Sequence, residues 1–156
     1  MDDHREGEGR PVYGARGRIG MVIPANNGVI EPEFARLMPD GVAAFATKVP
    51  ARGDLTAEAV RRMEAKVDEA AEMIVSTGID ALLVCDMVTS FVMEPDWNEA
   101  AVARFEAMHG VATATAWSAM EAALKAAGAR RLALLTPYPA SLHALAGPFF
   151  AARGFT

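Results

Sequence analysis

Residues 79–85 read Ile79-Asp80-Ala81-Leu82-Leu83-Val84-Cys85, directly after a stretch from Thr56 to Thr77 in which Val60, Met63, Val67, Ala70, Ala71 and Ile74 recur every three or four positions. The first segment is a short apolar run without polar alternation, the pattern of a strand buried on both faces. The second predicts a single helix with one apolar face and one face carrying Arg61, Arg62, Glu64, Lys66, Asp68, Glu69 and Glu72. Thr56 is placed to N-cap it, Glu58 suits the positive end of its dipole, and Gly78 is placed to end it. A helix leading into a doubly buried strand is the building unit of an α/β sandwich.

The same alternation extends in both directions. Further apolar runs lie at 19–23, 42–46, 111–114 and 132–135, and helical spacing covers 32–38, 98–108, 115–127 with Gly128 as stop, and 141–153 with Gly154 as stop. Pro148 falls inside the last helix, where it removes an intrahelical hydrogen bond and is expected to kink or restart it. The expected fold is an open, mostly parallel sheet with helices on both faces, joined by right-handed crossovers. Residues 1–16 are polar, rich in Gly and charge and without an apolar period, and read as a flexible N-terminal tail before an α/β domain at 17–156.

Composition narrows the function. The chain has 156 residues, 52% of them hydrophobic, which suits one domain with a sizeable core. Against 20 Asp and Glu stand 15 Lys and Arg, a formal charge of -5, so the long-range attraction behind non-specific nucleic-acid or anionic-membrane binding is missing. No uncharged run approaches the roughly 18 apolar residues of a membrane span. One Cys forms no internal disulfide and the N-terminus shows no secretory pattern, so the chain reads as cytoplasmic.

In open α/β sheets, ligands bind at the carboxyl ends of the strands. After the first run comes Pro24-Ala25-Asn26-Asn27-Gly28, either a plain turn or a concavity of amides suited to an anion. At the end of the third run stands Cys85, the sole thiol, followed by Asp86. It is either a small buried hydrophobe or a nucleophile and base, with the adjacent carboxylate opposing ionisation. Thr115 either caps a helix or binds a substrate carboxylate; Tyr138 either packs at the sheet rim or does the same. Neither His109 nor His143 makes a metal-ligand spacing, and no metal site is expected.

Taken together, Ile23-Pro24-Ala25-Asn26-Asn27 with Glu31, Leu82-Leu83-Val84-Cys85, Thr115 with Ala123-Leu124 and Gly128, and Leu135-Thr136-Pro137-Tyr138 resemble the aspartate/glutamate racemase superfamily. The resemblance runs from about Arg18 to Thr156 and is nearest the maleate cis-trans isomerases, the arylmalonate decarboxylases and the related ectoine-utilisation protein. It implies two similar α/β halves with the active site between them, acting on small carboxylates without metal or organic cofactor. It implies Cys85 as catalytic thiolate, Asn27 and Tyr138 as holders of a substrate carboxylate, Thr115 nearby, and the backbone N–H groups of Asp86 and Met87 as further donors.

The decarboxylases keep only a second-half Cys, so Cys85 points to isomerase or racemase chemistry, such as maleate cis-trans isomerisation. An arylmalonate-type decarboxylase and a catalytically inactive carboxylate-binding module are the alternatives. The resemblance also implies that domain 17–156 is incomplete at its C-terminus and lacks the second Cys. A half-covered sheet further implies self-association as a homo-oligomer.

Overall fold

The computed structural model describes residues 12–156; residues 1–11 of the expected tail, with His4, lie outside the described residues. The apolar runs form four strands, β1 (Gly17–Pro24), β2 (Val42–Val49), β3 (Ala81–Val84) and β4 (Ala112–Thr115), in one sheet of order β2-β1-β3-β4. Every pairing is parallel. Around them lie α1 (Ile30–Leu37), α2 (Ala57–Glu64), α3 (Val67–Val75), α4 (Met87–Val92), α5 (Trp97–His109), α6 (Ala116–Ala126) and α7 (Ala140–Ala151).

The register sorts β-strand side chains into two faces. Gly20, Val22, Leu82 and Val84 point to one face, where α3 and α5 supply Val67, Ala70, Ala71, Ile74, Ala101 and Phe105. A Cβ on Gly20 would stand 2.4 Å from the Ile79 Cδ1, so glycine is what lets Ile79 close over the strand there. Ile19, Met21, Ile23, Leu83 and Cys85 point to the other face, packed by Ile30 and Phe34 of α1. A third cluster joins α4, α6 and α7 through Phe91, Trp117, Phe149 and Phe150, with Val60 of α2.

Three expectations are corrected. The single helix at 56–77 is two, because Ala65 and Lys66 flatten to ψ −7° and −1°. The break lets α2 pack on α4 while α3 packs on β1 and β2, which one straight helix could not do together. The Thr56 cap is present, accepting the Ala59 N–H at 3.1 Å, and Gly78 ends the stretch with φ 74°. Second, of the two outcomes expected at Pro148 the restart does not occur: α7 is one helix through it, placing Leu142, Ala146, Phe149 and Phe150 in the core.

Third, residues 132–135 form no strand. The Thr156 N–H donates to the Arg130 carbonyl at 2.8 Å and the Leu132 N–H to the Thr156 carbonyl at 2.7 Å, the two bonds of one parallel rung about Arg131. A strand exists only through a partner for its backbone groups, and beyond that rung the segment has none; Leu135 is 98% exposed. The separation of Arg131 from Thr156 equals that of Arg18 from its partner Ala43 on β2. Gly41 and Gly154, each with positive φ (81° and 84°), occupy matching places before those partners. The stretch from Arg131 therefore repeats the β1–α1–β2 layout.

Candidate active site at the switch between the first and third strands

From β1 the chain turns outward to β2 on one side and to β3 and β4 on the other, so the topological switch point lies between β1 and β3. Two segments leave the sheet there, Pro24–Val29 and Cys85–Asp86. The Cys85 N–H donates to the Val22 carbonyl at 2.9 Å, which extends the β1–β3 ladder and fixes where the second segment departs.

Cys85 is 8% exposed, its sulfur beside Met21 and Ile23 on the α1 face and 3.6 Å from the Leu83 carbonyl. Burial, followed by the neighbouring Asp86 carboxylate, pushes its pKa up to about 12, so the resting group is a neutral thiol. Asp86 N-caps α4: its Oδ2 accepts the Thr89 N–H at 3.2 Å and also the Thr89 hydroxyl. Burial raises the Asp86 pKa, and the Thr89 and Val88 hydrogen bonds oppose the rise.

On the first segment, the Asn27 Oδ1 accepts the N–H groups of Val29 and Ile30 at 2.9 and 3.0 Å, which starts α1 and leaves Nδ2 as the end able to donate. Lys48 donates to the Asn27 carbonyl at 3.3 Å and pairs with Glu31 at 2.7 Å. Tyr138 sets its ring edge-on to Phe91, centroids 6.2 Å apart. Burial, then Asp86, pushes its pKa up to about 12, so it is a phenol with a proton to donate.

Asn27, Asp86, Val88, Pro137 and Tyr138 line one cavity of about 390 Å³. Cys85 is outside this lining, one residue behind Asp86. Thr115 is also elsewhere: 1% exposed, it accepts the Ser118 N–H at 3.1 Å and donates to the Asn98 Oδ1 at 2.7 Å. Met87 opens α4 and packs on the third cluster. Among the described residues no cluster of three or more His, Cys, Asp or Glu could hold a metal ion, and no helix is long and apolar enough to cross a membrane.

Two features escape the sequence pattern. Asn98, 1% exposed, also takes the Ser90 hydroxyl at 3.0 Å, so one amide ties α4 and β4 to α5. Asn98 stood in a stretch read as a helix start, with nothing to mark it. Glu64, on the polar face of its helix, is 8% exposed, accepts the Trp97 indole N–H at 3.1 Å and lies 3.4 Å from Arg104. Burial outweighs those partners and pushes its pKa to about 7.

A family model described as arylmalonate decarboxylase matches residues 19–156. No curated protein matches the sequence. Among solved structures, the Nocardia farcinica maleate cis-trans isomerase bound to TRIS is 26% identical with a TM-score of 0.80, over 90% of this chain and 60% of that one. A doubly substituted arylmalonate decarboxylase in its liganded form is 25% identical with a TM-score of 0.81, over 90% of this chain and 59% of that one. The maleate isomerase Iso from Pseudomonas putida S16 is 20% identical with a TM-score of 0.80, over 89% and 60%, a likeness of fold. The chain thus spans about 60% of the length of the maleate isomerase Iso.

Proposed function

The chain belongs to the arylmalonate decarboxylase family, and from that premise we propose that it carries one half of a cofactor-independent enzyme site that rearranges a small carboxylate, of isomerase or racemase type. The observation that carries this reading is one cavity at the switch point lined by an amide donor, Asn27, and a phenol donor, Tyr138, with the sole thiol one residue behind the lining residue Asp86. Asn27 Nδ2 and the Tyr138 hydroxyl hold the carboxylate, and the N–H groups of Asp86 and Met87 add donors. These groups stabilise the enediolate formed when the neighbouring carbon gains an electron pair.

In the isomerase version the Cys85 thiolate adds to an alkene carbon, the C–S bond forming as the π pair moves into the enediolate; rotation about the resulting single bond follows, and the enediolate re-forms the alkene as the C–S bond breaks and the thiolate leaves. In the racemase version Cys85 exchanges the proton at the carbon beside the carboxylate. A neutral thiol is the acid form: the enediolate carbon takes the proton from Sγ, a C–H bond forms, and a thiolate is left. That thiolate, high in pKa, is in turn a strong base for removing a C–H proton. Thr115 acts from behind, holding the start of α6 and, through Asn98, the Ser90 end of α4.

A second reading is favoured by the protonated thiol itself. In decarboxylation a C–C bond breaks, CO2 leaves, the electron pair stays on the carbon as an enediolate, and the thiol supplies the proton; solvent then reprotonates the thiolate. The protein and its Cys85→Ala variant, incubated with maleate, 2-substituted carboxylates and substituted malonates in D2O, separate the cases. Conversion of maleate to its trans isomer without CO2 supports the isomerase, deuterium at the carbon beside the carboxylate without CO2 supports the racemase, and CO2 release supports the decarboxylase. Full turnover by Cys85→Ala would remove the thiol from all three.

A further inference from the structure

The sole charged side chain among the cavity-lining residues is Asp86, an acid in a place read as receiving an anionic substrate. Its Oδ2 takes the Thr89 N–H and hydroxyl, and the Val88 N–H adds a further hydrogen bond to the carboxyl; a carboxylate has about four acceptor sites, so it can still accept a donor from a ligand. The nearby cation, Lys48, is already engaged by the Glu31 carboxylate and the Asn27 carbonyl. The neutral donors that line the same cavity, Asn27 Nδ2 and the Tyr138 hydroxyl, suffice for one carboxylate.

We propose that the Asp86 carboxyl is the specificity determinant of this cavity. It selects a monocarboxylate bearing a hydrogen-bond donor, hydroxyl or ammonium, on the neighbouring carbon, and turns away a second carboxylate. The assignment rests on the carboxylate-binding reading above. Asp86 lines the same cavity as Asn27 and Tyr138, so a ligand whose carboxylate sits on those two shares its space with the Asp86 carboxyl. A hydroxyl or ammonium on the neighbouring carbon donates to that carboxyl, whereas a second carboxylate offers only lone pairs to another acceptor and adds like charge in a half-buried space without a free cation. Burial first, and the Asp86 carboxylate second, raise the pKa of the Tyr138 phenol, which places the two groups within electrostatic reach of each other.

The test uses a three-carbon ladder of propanoate, lactate, alanine and malonate, titrated into the protein while the backbone amide signals of residues 86–88 are followed by NMR. Lactate or alanine should bind at least tenfold more tightly than propanoate, with malonate weakest; the tighter of the two shows whether hydroxyl or ammonium is the donor. In Asp86→Asn, which keeps an oxygen for Thr89, and in Asp86→Ser, which keeps the N-cap, the preference should fall below threefold and malonate should gain. Unchanged circular dichroism shows that each variant is folded. Malonate binding as tightly as lactate and alanine, or a donor preference that survives both substitutions, overturns the proposal. Absence of binding by all four ligands overturns the carboxylate site itself, and the proposal with it.

Discussion

On one face of the sheet Val22, Leu82 and Val84 are at most 3% exposed beneath α3 and α5, where Ala101 and Phe105 are sealed at 0%. On the other face α1 covers Met21 and Ile23, while Ile19, Ala44 and Leu83 stay only partly buried. Adjacent leucines of β3 thus live in different surroundings for no reason but strand alternation. The closed face holds the fold together, and the thinner face is where Cys85 stands. Stability and chemistry are divided between the sides of one strand.

The leucine pair gives the largest effect. Leu82→Ala should cost about 3 kcal/mol of unfolding free energy, and Leu83→Ala about 1 kcal/mol or less, because a partly exposed side chain has less transfer energy to lose and leaves no closed cavity. Urea unfolding of both variants measures the gap; equal losses would break the contrast between the faces.

Glu64, at the edge of the closed face, comes next. Its folded pKa of about 7 exceeds its ordinary value of 4.5, so the folded state binds the proton more tightly. The associated stability is complete below pH 4.5 and is lost as pH rises through about 7. Glu64→Gln, which still accepts from Trp97, should gain on the wild type by on the order of 2 kcal/mol between pH 5 and pH 8. Urea midpoints at the two pH values check this, and parallel curves would rule it out.

Gly20→Ala should cost about 1–2 kcal/mol, because the new methyl meets the Ile79 side chain, whose end can move, rather than backbone. Thermal unfolding reads that loss. The smallest effect sharpens the thin face. At pH 8 the Cys85 thiol should react with iodoacetamide far more slowly than a free cysteine, and Asp86→Asn should raise the rate about tenfold by removing the adjacent charge. A rate already equal to that of free cysteine would mean that the sulfur is open and ionised.

Much of the architecture was legible because a strand buried on both faces must be apolar throughout: the runs at 19–23, 42–46, 79–85 and 111–114 became β1 to β4. The run at 132–135 carries the same signal, yet a strand is made by its partner as well as its side chains. Met87–Val92 escaped notice because the residues from Val88 to Val92 are all buried, so α4 has no polar face and no period to detect. Asn27 and Tyr138 could be picked out by their place after apolar runs, and the cavity brings them together. The part played by the Asp86 side chain was hidden, since a cap is visible only once its helix is known. Of the two readings of Thr115 the structure shows the cap: it starts α6, and its remaining hydrogen bond reaches Asn98, a contact between elements that no local pattern encodes.

The two tryptophans fall in different cores. Trp97 lies in the closed core with its indole N–H on Glu64, and Trp117 is ringed edge-on by Phe149, Phe150 and Phe155. The chain's fluorescence therefore divides into two channels. Trp97 emission follows the ionisation of one carboxylate and the integrity of the sheet, while Trp117 emission follows the seating of α7. Replacing either ring by Phe isolates the other, so the order in which the two cores open becomes an optical measurement, made without attaching a label.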